Sequence, residues 1–218
     1  MNCEIDPRFY QAIGIRGVDD AYITGNTGTG VIRYTMNMRW MRFNEQKATQ
    51  AAGKLLSMGG GSMPVLKLIK LLYFIDREAV LRWGRTVTTD RFVSMPHGPV
   101  VSEIYNLICS GPEEGVASPW HEHIQKVHQY DVQLSVPVGD DELSRAEERL
   151  IDEIFARDGW KGKWVLRDQS HDLPEWQDPS GSSIPIEIED ILRAEGRTEH
   201  EIALVLAELQ NLSLVQLI

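Results

Sequence analysis

From residue 63 to residue 83 the chain runs MPVLKLIKLLYFIDREAVLRW, and no other stretch limits the fold as tightly. Ser62 is suited to cap a helix here, Pro64 fits its first turn, where a missing N–H is harmless, and Gly84 fits its end. Leu66, Ile69, Leu72, Tyr73, Val80 and Trp83 cover one side of the predicted helix, and Leu68, Leu71 and Ile75 cover another. Lys67, Lys70, Arg77 and Glu78 leave only a narrow polar edge. A helix apolar nearly all round has to be enclosed, so the rest of the domain must be built around it. The two lysines also break up its most apolar part, which is too short to cross a bilayer.

The flanking segments supply the enclosure. Residues 44–58 predict a helix, with Asn44 as cap, Ala48, Ala51, Ala52, Leu55 and Leu56 as the apolar stripe, and glycines 59–61 as a flexible stop. Beyond Gly84, residues 86–88 and 91–93 are β-branched and aromatic, as in a short extended pair. His97-Gly98-Pro99 reads as a turn that starts a helix over 100–109. Residues 126–138 alternate like a strand, and Ser144-Arg145-Ala146-Glu147 is a capping box opening a helix that Gly159 closes. A short helix over 164–170, an extended Leu173-Pro174-Glu175-Trp176, and helices over 186–194 and 198–211 complete the reading. The expected class is mainly α with a small β component (α+β), a compact helical domain around a central apolar helix. It is expected over residues 42–218. Residues 1–41 show no sustained period apart from a possible strand at 31–34, and are expected to be a loosely structured N-terminal extension or an overlong start.

Charge and cysteine content narrow the function. The net charge is −10, and residues 138–218 hold nineteen acids against eight bases. Such a surface repels phosphate backbones, so no nucleic-acid role is expected of this domain, and basic partners or plain solubility are the two readings of the acidic third. Two cysteines, Cys3 and Cys109, make no disulfide framework or metal spacing, and no signal peptide is expected, because the first residues lack its basic start and apolar core. A cytoplasmic, non-membrane protein is expected.

Catalytic constellations are thin. His121, His123 and His128 form a weak metal-like group without a Cys or Asp partner, so the expectation is solvated loop histidines and neither metal nor cofactor. His97 could act as a base oriented by Asp90 or Glu103, but no Ser or Cys stands in a nucleophile context. Ser170-His171-Asp172 invites the same reading, against a simpler one in which His171 holds a loop through side-chain hydrogen bonds. Glycines 59–61 before a helix lack the Lys-Ser/Thr of a phosphate loop.

One resemblance gathers these residues. Leu66-x-Leu68-x-Lys70-Leu71-Leu72-Tyr73, then Gly84, Asp90-Arg91-Phe92, His97-Gly98-Pro99-Val100 and Ile104-Tyr105 resemble the Panacea domain, the SocA-like antitoxin family. Ser170-His171-Asp172-Leu173-Pro174-Glu175-Trp176 is similar to its His-x-x-Pro-x-Trp segment. The resemblance covers about residues 43–178 and implies a mainly helical antitoxin of bacterial or phage toxin–antitoxin systems. It further implies that the chain neutralises a cognate, adjacently encoded toxin by direct binding and is not an enzyme. An adaptor that delivers a partner to a protease, docking through residues 212–218, is an alternative; so is a small-molecule enzyme using His97 or His171. The matching residues are Lys70, Leu71, Tyr73, Asp76, Gly84, Asp90, Phe92, His97, Gly98, Pro99, Val100, Tyr105, His171, Pro174 and Trp176. They are expected to be mostly scaffold, with Tyr73, Asp76, Asp90, Phe92, His97 and Tyr105 gathered around the central helix. Partner contact is expected instead on exposed Trp120 and Trp176 and on the acidic Glu187, Glu189 and Asp190.

Overall fold

The computed structural model of the protein describes residues 42–112 and 114–215. The expectations for residues 1–41, the strand at 31–34 included, lie outside the described residues. Helix α1 spans Glu45–Met58, and Asn44 caps it by accepting the Lys47 N–H. A strand β1, Ser62–Pro64, leads into the central helix α2, Val65–Trp83. Strands β2 (Phe92–Met95) and β3 (Gly98–Val101) form a hairpin, followed by α3, Ser102–Ser110. A short α4 (Pro119–His123) precedes the hairpin β4 (Ile124–Val127) and β5 (Asp131–Leu134). The chain continues through α5 (Arg145–Asp158), α6 (Lys163–His171), β6 (Ile184–Ile186), α7 (Ile188–Ala194) and α8 (Glu199–Val215). This is the mainly helical α+β class read from the sequence.

Every residue from Leu68 to Asp76 is buried, as an all-apolar helix requires. Helices α1, α5, α6 and α7, with strands β1 and β3, pack around α2. Burying a Leu or Ile of this kind contributes about 1.5–3 kcal/mol each before the entropy of ordering is subtracted, which makes α2 the main source of cohesion. The helix ends at Gly84, left-handed at φ 69°, a conformation glycine takes without a side-chain clash. Two small antiparallel sheets flank it, β1-β5-β4 and β3-β2-β6.

The sheets are where the sequence reading departs from the structure. Ser62 does not cap α2: Ser62–Pro64 pairs with residues 131–133, and the Ser62 hydroxyl donates to the Val132 carbonyl. Val100 and Val101 belong to β3, so the helix expected from Val100 starts at Ser102. Residues 86–88 make no strand; β2 pairs instead with β3 and β6, Phe92 lying opposite both Val101 and Ile186. The single strand expected over 126–138 is a hairpin turning at His128, at φ 55°. Residues 173–176 form a turn, with the Trp176 N–H donating to the Leu173 carbonyl, and are not extended. The α5 capping box is present on both sides, between Ser144 and Glu147. No helix among the described residues is long and apolar enough to cross a membrane.

Candidate functional site

One face of α2 presents Lys70, Tyr73 and Arg77, residues three and four apart and therefore aligned along the helix. Opposite lie the tip of the β2–β3 hairpin and the turn after α6. Lys70 is fully buried, and its ammonium donates to the Pro99 carbonyl at 2.7 Å. No carboxylate pairs with it among the described residues, and burial holds its pKa well below the ordinary lysine value. Gly98 lies over this amine at φ +87°. A Cβ on Gly98 would run into Ser170 Oγ and come within 2.7 Å of Lys70 Nζ and 3.0 Å of His171 Cδ2.

Tyr73 and Arg77 meet at Glu175. The Tyr73 hydroxyl donates to Glu175 Oε1 at 2.8 Å, and Arg77 donates Nε and Nη2 to the same carboxylate at 2.7 and 3.2 Å. Burial, and then the adjacent Glu175 charge, raise the Tyr73 pKa well above the usual phenol value, so the phenol stays a donor. The Trp176 indole donates to the Met95 carbonyl at 3.1 Å, and the Gln177 N–H donates to Ser94 Oγ at 3.2 Å. The His171 and Trp176 rings stack at 4.2 Å. The 170–177 segment is thus bonded to the hairpin and to α2 at several points.

Two more motif residues anchor backbone. Asp76 Oδ1 accepts the Val87 and Thr88 N–H groups at 2.8 and 2.9 Å, and Thr88 Oγ1 donates to Oδ2. Asp90 accepts the N–H groups of Arg91, Glu103 and Ile104, which fixes the first turn of α3. Burial raises their pKa values to about 6 and about 7 against these hydrogen bonds.

The six residues expected to gather around α2 therefore separate. Tyr73 and Phe92 touch edge to face at 5.3 Å, whereas Asp76 and Asp90 each serve a different loop. His97 is exposed and lies 6.4 Å from the Trp164 ring. Asp90 does not orient it, and Glu103 pairs with Arg91. His171 holds no loop by hydrogen bonds: its ring stacks, and Nε2 is buried without a partner. Burial first, then the Lys70 and Arg167 charges, hold its pKa below the usual imidazole value. His121 is no solvated loop residue, since from α4 its ring bonds the capping Ser118 Oγ at 2.8 Å and the Leu107 carbonyl of α3 at 3.0 Å.

The expected contact residues also change place. Trp120 is 1 % exposed and belongs to the core, and Trp176 is half-buried against His171, so neither is an exposed anchor. Glu187 and Asp190 form a reciprocal capping box at the start of α7. Burial raises the Glu189 pKa. Sequence reasoning missed Glu175, although its place between Pro174 and Trp176 marks it, and Arg77, four residues after Tyr73.

Comparison with known families decides what this arrangement belongs to. Residues 68–177, half of the chain, match the family described as "Antitoxin SocA-like, Panacea domain". The chain belongs to this antitoxin-like family. The match opens at Leu68 in α2 and closes at Gln177, just past the Trp176 indole bonded to the hairpin, so it encloses the whole Lys70–Gly98–Glu175 cluster. A toxin–antitoxin role in general follows from membership. No curated protein and no solved structure is detectably similar to the chain.

Proposed function

We propose that this protein is the antitoxin of a toxin–antitoxin pair and neutralises its cognate toxin by direct, stoichiometric binding. The observation that carries this reading is the coincidence of the family match with a closed scaffold: Lys70, Tyr73, Asp76, Asp90 and Glu175 are all buried and bonded to the chain's own groups. A family whose matching residues hold the fold keeps its surface free to fit a partner. The neutralisation takes place in the cytoplasm and uses neither metal nor cofactor. The toxin is a protein and not a nucleic acid, in keeping with the net charge of −10.

The test is growth of cells that express the flanking reading frame alone, then together with this chain. Growth arrest by the flanking product, relieved on co-expression, supports the reading. A harmless flanking product, or arrest that persists while this chain is abundant and folded, refutes it.

A further inference from the structure

The acidic third contains one basic island. Between residues 157 and 168 stand Arg157, Lys161, Lys163 and Arg167 against two acids: Asp158, which is buried and bridged by Arg157 and Lys161, and the exposed Asp168, which Arg167 pairs with at 2.5 Å. Large apolar side chains rise through the same island. Trp160 is 78 % exposed, Trp164 51 % and Val165 50 %, and Tyr130 on the neighbouring hairpin is 47 % exposed.

The cations and the rings are in register. Lys163 Nζ lies 5.5 Å from the Trp164 ring centre and 5.9 Å from that of Tyr130. The Arg167 guanidinium lies 5.0 Å from Trp164, and the His97 ring approaches it from the hairpin. Lys163 makes no ion pair among the described residues. Exposed tryptophan and tyrosine beside arginine match the composition of interface hot spots, where large rigid rings lose water on docking.

We infer that the face of Trp164 and Tyr130, with Lys163 and Arg167, is the surface on which the cognate toxin docks. It would receive a part of the toxin where carboxylates border an apolar patch. This inference rests on the antitoxin reading. Charge complementarity selects the occupant: the face is positive within a region of net charge −11, so an acidic partner is drawn to it and held off the rest. The rings supply the contact area, and Lys163 and Arg167 set orientation and association rate. Basic residues beside aromatic rings also suit single-stranded nucleic acid, and the oligonucleotide arm of the experiment separates that occupant from the toxin.

The experiment uses the purified chain and the purified product of the flanking reading frame, with binding followed by biolayer interferometry. W164A is expected to weaken binding about 30-fold or more, the loss of a hot-spot residue, with Y130A acting in the same direction. K163E/R167E is expected to slow association and flatten its salt dependence. Thermal unfolding of each variant checks that the fold is kept. If the wild type binds and W164A binds equally well, this face is wrong while the antitoxin reading stands. Loss of binding in E199Q/E201Q with W164A intact would move the site to the acidic helix α8 and overturn the inference. Tight binding of a single-stranded oligonucleotide at this face overturns it, as does a dimer that W164A dissolves. If the wild-type chain does not bind the flanking product at all, both readings fall together.

Discussion

Replacing Gly98 with alanine is the sharpest perturbation of the scaffold, because two independent costs act at one atom. The backbone sits at φ +87°, where an L side chain costs about 1–2 kcal/mol. The new methyl would also press on Ser170 Oγ and sit 2.7 Å from the buried Lys70 Nζ, overpacking worth about 1–3 kcal/mol. Together G98A is expected to lose about 2–5 kcal/mol, or roughly 4–20 °C in melting temperature for a chain of this size. Urea denaturation reads the loss as a shifted midpoint at unchanged slope. The double variant G98A/S170A separates the costs. Removing the hydroxyl frees the nearest obstacle, so the pair should cost at least about 1 kcal/mol less than the sum of the single variants, while the backbone cost remains. A G98A protein within about 0.5 kcal/mol of wild type, or strict additivity of the pair, would refute the packing of the hairpin tip onto Lys70 and α6.

Other expectations follow from the buried polar groups around α2. E175A leaves the buried Tyr73 hydroxyl without its acceptor and Arg77 with only Glu195, so a loss of about 3–5 kcal/mol is expected by urea denaturation, and a loss under about 1 would count against Glu175 as the hub. The Asp76 carboxyl is raised from 3.8 to about 6, so between those pH values the folded chain keeps a proton that the unfolded chain has released. Stability should fall as pH rises through that window, by up to about 3 kcal/mol from this group. D76N should remove that part of the slope, and an unchanged slope would show that Asp76 does not titrate there. Lys70 acts in the opposite direction, because its lowered pKa makes the unfolded chain the better proton binder. Stability should therefore rise as pH climbs toward the ordinary lysine value of 10.5 and flatten in K70M, with calorimetry across the two proteins as the check.

What could be read in advance was what is local in the chain. Asn44 before α1, the Ser144–Glu147 box before α5 and Gly84 after α2 each act within one helical turn, and each stands where the sequence puts it. The strands depend on remote partners. Ser62 looks like a helix cap until Gln133 pairs with it, and Pro99 looks like a first helical residue until Ser94 lies opposite. His128 hides a hairpin, because it takes positive φ without the usual glycine.

The site divides in the same way. Lys70, Tyr73 and Trp176 were recognised as a pattern, but their meeting through Pro99, Glu175 and Met95 needs tertiary structure. Trp120 misled because a tryptophan in a Ser-Pro-Trp-His segment reads as surface, whereas its short helix turns the indole into the core against α1. Trp164 reads in the sequence only as part of a short helix, and its exposure beside Lys163 and Arg167 sets it apart.

The central claim is that the chain neutralises a neighbouring toxin by occupying it one for one. Induction of this chain should be raised stepwise against a fixed level of the flanking product, with both proteins quantified by mass spectrometry at the threshold where growth resumes. Stoichiometric masking predicts that growth returns when the two are about equimolar. Rescue at a small fraction of that ratio, or none at a large excess of folded protein, would contradict it.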